Sequence, residues 1–411
     1  MNAIKNKFKT CLPMLAAGMM FLSSCNKGID QITGAAPVVA SGLSITETLA
    51  SWPLDSLFNK MVIKSGMSVA LGNKALSYTL FVPDNAAVIA SFGGSLASAN
   101  GTINALSAST LASIVKYNMI PQLLPTAKIV HGFPNMQMPT DIVLDPTNPL
   151  VRMTSFPSKS GAAGSTYYYN NAPLTAMDNV VANGTIHHTA FVVAPPSRVL
   201  KDTIGRVSDL TYFRAAIARA DSGQVGLGKF DSLLNYAVTN MTILAPNDAA
   251  FKTLVFGLAF QAYLSTRPLP YTLTDTINAA ATGNGASAAG PAFLSTNNIT
   301  TAQVRGIIAY HFLAAKNSAN AYQPTIRAFS VNFPSTPSFV PTLVNAAFAP
   351  HPGILVKPTY TGPFVTALTF SSYGSTTAGA PAFSYTANAV ALDRLAVNGI
   401  FYIIDKVLIP Q

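Results

Sequence analysis

The chain has 411 residues, of which 49% are hydrophobic and only 10% charged, and it carries a formal net charge of +10. That length predicts two or three domains with enough apolar material for sizeable cores. So thin a basic excess, with no Lys/Arg cluster able to neutralise adjacent phosphates, argues against nucleic acid as a partner.

Lys5, Lys7 and Lys9 precede an apolar run from Cys11 to Leu22, which ends at Leu22-Ser23-Ser24-Cys25. A positive start, an apolar stretch too short to span a bilayer and small residues before a cleavage point predict a secretory signal over residues 1–24. The ending resembles the bacterial lipoprotein signal, which implies that Cys25 is lipidated, becomes the first mature residue and ties the chain to a membrane. Residues 25–42, rich in Gly, Ala and Val with little periodicity, read as a flexible tether.

With Cys11 in the signal and Cys25 blocked by lipid, the two cysteines leave no thiol for the folded part. Disulfides, thiolate metal sites and cysteine nucleophiles are thereby excluded, and stability must come from packing. Glu47 is the sole glutamate. Paired carboxylates would have to be aspartates, and the closest candidates, Asp141 and Asp145, sit among Pro139, Pro146 and Pro149 as on an edge strand or loop.

Beyond the tether the chain repeats itself. The segment beginning Tyr78-Thr79-Leu80-Phe81-Val82-Pro83-Asp84-Asn85 returns 163 residues later as Met241-Thr242-Ile243-Leu244-Ala245-Pro246-Asn247-Asp248. Each predicts a strand ended by proline and followed by a helix whose first amides are capped by Asp84 or Asn247. Ile114 to Ile120, containing Tyr117-Asn118, matches Ile307 to Leu313, containing Tyr310-His311, at a larger offset of 193. The difference places an insertion in the second copy, and the low-complexity run 278–290 predicts an inserted loop near 257–298 with no core of its own. Asn183-Gly184 and Asn398-Gly399 then each predict a hairpin turn before an apolar last strand. Three landmarks in one order make two modules, over 43–200 and 201–411, each expected to have a separate core.

These landmarks resemble the fasciclin-like domain family, with its Thr-(aromatic or aliphatic)-Phe-Ala-Pro-(Thr)-Asn-(Asp/Glu)-Ala-Phe block, central Tyr-His and closing Asn-Gly-x-x-His-x-Ile-Asp-x-Val-Leu strand. The second half fits better, through Thr242, Ala245, Pro246, Asn247, Asp248, Ala249 and Phe251, then Tyr310-His311, then Asn398-Gly399 running to Ile404-Asp405-Lys406-Val407-Leu408. In the first half Val82 and Val88 depart from the pattern, and Asn118 stands where the family has histidine. The resemblance implies an α+β fold of two modules, each a wedge of β-sheet with packed helices. It also implies an adhesive or extracellular binding role, without catalysis.

Other chemistry finds little support. Gly223-Gln224-Val225-Gly226-Leu227-Gly228-Lys229 matches seven positions of a phosphate-binding loop, but Phe230 replaces the hydroxyl residue that binds magnesium, which favours a glycine-rich turn. No Gly-x-Ser-x-Gly elbow occurs. His131, His187, His188, His311 and His351 show no helical metal-ligand spacing, and His187-His188 on a strand would face opposite ways, so packing or hydrogen bonding is favoured. No cofactor is called for. Tyr310 and His311, with Tyr117 and Asn118, are candidates either for a structural hydrogen bond or for the recognition role that the resemblance implies. Tyr167 and Tyr169 are candidate glycan contacts, with Tyr168 facing the core and its two neighbours facing out as the packing alternative. Asp55-Ser56-Leu57, Asp202-Thr203-Ile204, Asp231-Ser232-Leu233 and Asp275-Thr276-Ile277 resemble O-glycosylation acceptors of some Bacteroidota and equally resemble helix starts.

Together these readings predict a lipid-anchored lipoprotein of the cell envelope, at the outer membrane with its leaflet left open, that binds extracellular protein or matrix partners. The alternative is a glycan-capturing lipoprotein for nutrient uptake, and a poorer third is an unrecognised hydrolase.

Overall fold

The structure, a computed structural model, describes residues 41–133, 135–160, 166–295, 299–373 and 386–410. The signal, Cys25 and nearly all of the tether lie outside the described residues. Residues 42–411 gather into one compact unit.

Both halves are mixed α+β and built on the same parallel pair. In the first, Tyr78–Pro83 runs beside Gly184–Thr189 with Tyr78 opposite Gly184. In the second, Met241–Pro246 runs beside Gly399–Ile404 with Met241 opposite Gly399. Each last strand also pairs antiparallel with its hairpin partner, Ala172–Val181 or Thr386–Ala396. The first strand of each pair is buried at all six positions, so its side chains divide between two apolar layers. Ile243 and Phe401 join the helix-side core, while Leu244, Ile400, Tyr402 and Ile404 join the other face.

The expected caps form: Asp84 accepts the amide of Ala87 at 2.8 Å and Asn247 that of Ala250 at 2.9 Å. The Asn-Gly hairpins also form, but their glycines are not in the left-handed region. They are needed for close approach, because a Cβ on Gly184 would lie 2.1 Å from the Tyr78 carbonyl oxygen and one on Gly399 2.6 Å from that of Met241. The asparagines before them are anchors. Asn183 Oδ1 accepts the amide of Ile45 and its Nδ2 donates to Leu71, while Asn398 Oδ1 accepts the amide of Leu200 and its Nδ2 donates to Leu234.

Two expectations are corrected here. The described part of the inserted segment is not a loop: helix Asp248–Leu264 turns back into helix Leu273–Ala288, which begins with a Thr272/Asp275 capping box. Ala279, Gly283 and Ala286 are its buried residues, and a Cβ on Gly283 would meet the Phe256 ring at 2.6 Å. Low complexity here supplies a smooth face for close helix packing, with alanine adding helix propensity.

Nor are all the cores separate: each half keeps a helix-side core of its own, but the sheet-side cores cross between the halves. Phe156 and Tyr168 of the first half belong to the second half's sheet-side core, and Val397 packs into a core of the first half. A buried polar chain runs from Asn135 through Asn332 to Ser158, each link 2.8 Å, and Tyr168 donates to the carbonyl of Pro363 at 2.7 Å. Arg327, 1% exposed, lies 5.1 Å from the Phe156 ring centroid and donates through Nη2 to the Val397 carbonyl. Among the described residues its Nε and Nη1 have no partner, and burial lowers its pKa to about 10.

Candidate functional site

Tyr310 ends helix Thr301–Tyr310 and His311 caps it. Both are fully buried. The Tyr310 hydroxyl donates to Gly353 at 2.8 Å, and desolvation pushes its pKa up to about 12. His311 bridges two elements. Its Nε2 accepts the amide of Leu408 at 3.1 Å, which requires the proton on Nδ1, and Nδ1–H donates to the carbonyl of Ile307 at 2.8 Å. Burial lowers its pKa to about 4, so the ring is neutral at physiological pH.

The first half repeats this arrangement with different chemistry. Asn118, also fully buried, donates from Nδ2 to the carbonyls of Ile114 and Val193. Tyr117 is likewise fully buried, and its pKa is raised by desolvation. Its hydroxyl accepts from Asn170 Nδ2. The backbone carbonyls of Asn118 and His311 accept the amides of Phe81 and Leu244, each at 2.9 Å. All four side chains are thus spent on internal contacts, and none faces solvent.

Tyr167 and Tyr169 do not share a face toward solvent. Tyr169 is fully buried, stacked on Phe81 at a centroid distance of 3.9 Å, and its hydroxyl donates to the Tyr117 carbonyl. Its candidacy as a glycan contact is corrected, as is the packing alternative that turned it outward. The strand Thr166–Tyr169 crosses where the two halves meet, so Tyr168 and Tyr169 are both covered. Tyr167 remains partly exposed, with Lys159 Nζ 5.2 Å from its ring centroid.

The remaining chemistry resolves into structure. Asp221 accepts the amides of Phe230 at 2.7 Å and Asp231 at 2.9 Å, so a carboxylate already occupies the amides a phosphate would need after the glycine-rich turn. Asp141 is held by Arg152 at 2.9 Å, and Asp145 accepts from Thr147 in the adjoining turn. His187 donates to the Leu124 carbonyl, and burial lowers its pKa. His188 Nε2 lies 3.0 Å from Asp55, an Asp-His pair the spacing did not reveal, but its buried Nδ1 has no partner among the described residues and Ser56 pairs with Asn85 instead. That pair therefore lacks an aligned nucleophile. Among the acceptor-like segments, Ser56 and Thr276 are exposed, whereas Thr203 and Ser232 are half-buried. Among the described residues no group of three His, Cys, Asp or Glu could hold a metal, and no helix is long and apolar enough to cross a membrane.

An apolar groove of about 490 Å³ opens between Phe256 and Phe260 of the long inserted helix and Val407 and Ile409 of the tail. The sequence does not announce it, because its walls lie about 150 residues apart and the low-complexity insertion predicts a loop there.

Residues 55–195 match the family model of the Fasciclin domain. No curated protein matches the chain in sequence. Among solved structures, a FAS1 domain pair from the insect cell adhesion molecule fasciclin I is 13% identical, with 86% of this chain and 95% of that chain covered and a TM-score of 0.31. Within the chain itself, the second half repeats the parallel pair, its register and its asparagine anchors, so the fold is a tandem of two modules, the first of which matches the Fasciclin domain over residues 55–195.

Proposed function

We propose that the chain is a non-catalytic envelope lipoprotein, anchored through lipid on Cys25, that mediates adhesion or extracellular binding to protein or matrix partners. The Fasciclin match over residues 55–195 and the lipoprotein-like signal support this reading. The observation that carries it is the internal commitment of the landmark residues. Asn118, His311, Asn183 and Asn398 all hold backbone groups inside the fold, so what the tandem offers a partner is its outer surface rather than a reactive cleft.

The glycan-capturing reading loses Tyr169 and keeps Tyr167, whose ring lies beside the Lys159 ammonium. A binding screen of purified, unlipidated 26–411 against envelope proteins and glycans tests the proposal. Saturable binding with the partner recovered unchanged is expected. Chemical turnover of a bound partner would contradict it.

A further inference from the structure

The sequence contains nine arginines. Six have partners: Arg152, Arg267 and Arg305 lie near aspartates, and Arg214, Arg219 and Arg327 donate to backbone carbonyls. The other three, Arg198, Arg206 and Arg394, have no ion pair or side-chain hydrogen bond among the described residues, and all three line one cleft of about 340 Å³. No acidic residue lines it, and Pro195, Pro196 and Thr203 form part of its wall. All three arginines are exposed.

The cleft is held on fixed backbone. Arg198 lies in the linker between the modules, where its carbonyl accepts the amide of Val397 at 2.8 Å. Arg394 sits on strand Thr386–Ala396, in register with Phe401. Arg206 caps helix Leu200–Gly205, and Arg214 clamps the carbonyls of Ile204 and Val207 on either side of it. The neighbouring carboxylate of Asp393 is turned away, accepting from Ser330 and Tyr402. Like charges around one cleft with no acidic residue in its lining repel one another, and a bound anion relieves that repulsion. Guanidinium forks match the paired oxygens of a phosphate or sulfate.

We propose that this cleft binds a tetrahedral oxyanion, a phosphate or sulfate ester carried on a saccharide. The proposal rests on the reading of the chain as a binding protein and gives one site its ligand chemistry. A concave cleft with prolines in its wall accommodates a sugar-borne group, whereas a flat anionic bilayer is met by a convex basic surface with apolar side chains that insert. None of the lining residues is a large exposed hydrophobic.

The test uses unlipidated 26–411, which holds every described residue, and the Arg198→Ala/Arg206→Ala/Arg394→Ala variant. Probes are sulfated dextran, uncharged dextran, inorganic phosphate and phosphatidylglycerol vesicles. The parent should bind sulfated dextran and not the uncharged polymer, more weakly as salt rises, with phosphate competing. The triple alanine variant should lose affinity at least about tenfold, and an Arg198→Lys/Arg206→Lys/Arg394→Lys variant less. Both should unfold thermally like the parent, because the altered side chains are exposed. Equal binding by the alanine variant, or indifference to sulfation, overturns the site. Vesicle binding through these arginines with sulfated dextran ignored overturns the saccharide assignment. A parent that takes partners in the wider screen but ignores every anionic probe sinks this site alone, whereas turnover of a partner sinks the binding reading itself.

Discussion

The imidazole of His311 accepts the backbone amide of Leu408 at 3.1 Å, and through it the end of a helix is fastened to the tail that leaves the last strand. In the first module the corresponding residues are Asn118 and Val193, but the bond is reversed: the amide of Asn118 donates to the carbonyl of Val193 at 2.7 Å. One post is kept with two chemistries, which is what a structural fastening tolerates and a metal ligand or titrating recognition group does not.

His311→Ala leaves the Leu408 amide and the Ile307 carbonyl without their buried partner, and should cost about 1–3 kcal/mol. His311→Asn can donate to one and accept from the other, so it should cost less. Thermal or denaturant unfolding of the two variants checks the order; an alanine variant as stable as the parent would remove the fastening role.

Stability should also depend on pH through this ring. The folded state holds its pKa at about 4 against an ordinary 6.5, so the unfolded chain takes up the proton first as pH falls. The contribution is therefore complete above pH 6.5 and is lost progressively toward pH 4, about 3 kcal/mol in all. Denaturant titrations across that window should show a steeper decline for the parent than for His311→Asn.

Much of this was legible in the sequence, and the failures share a cause. The parallel strand, its proline end and the Asp84 and Asn247 caps are local features, written in consecutive residues. The seam between the modules is not. Tyr169 turned out to be buried because two distant segments cover a strand whose alternation would otherwise have exposed it, and periodicity says nothing about what lies across a face. The run 278–290 looked like a loop because its small residues carry little hydrophobic signal, although Gly283 is what lets its helix approach Phe256. Arg198, Arg206 and Arg394 converge only in the folded chain, and no spacing announces them.

Arg327 offers a test of that seam. A buried guanidinium with two nitrogens, Nε and Nη1, unpartnered among the described residues is costly, and its removal in favour of an apolar chain of similar length recovers desolvation energy. Arg327→Met should leave the unfolding temperature unchanged or higher, whereas Arg327→Ala should lower it by opening a cavity beside Phe156, at about 2–4 kcal/mol. A marked loss of stability in Arg327→Met would mean that the charge itself holds the modules together.

At the other end of the chain, Cys25→Ala should leave an uncleaved precursor or a soluble protein, while the parent stays with the membrane. Mass spectrometry of the mature amino terminus decides the matter. A chain beginning well downstream of residue 25 and carrying no lipid would contradict the anchor.

The claim that the Tyr-His segment is frame rather than recognition surface is tested most directly by nitrogen-resolved NMR of the histidine side chains during a pH titration. His311 should stay neutral with its proton on Nδ1 down to a pH of about 4. A ring that titrates near its ordinary 6.5, or that carries its proton on Nε2, would show it free of the Leu408 amide and open to a recognition role.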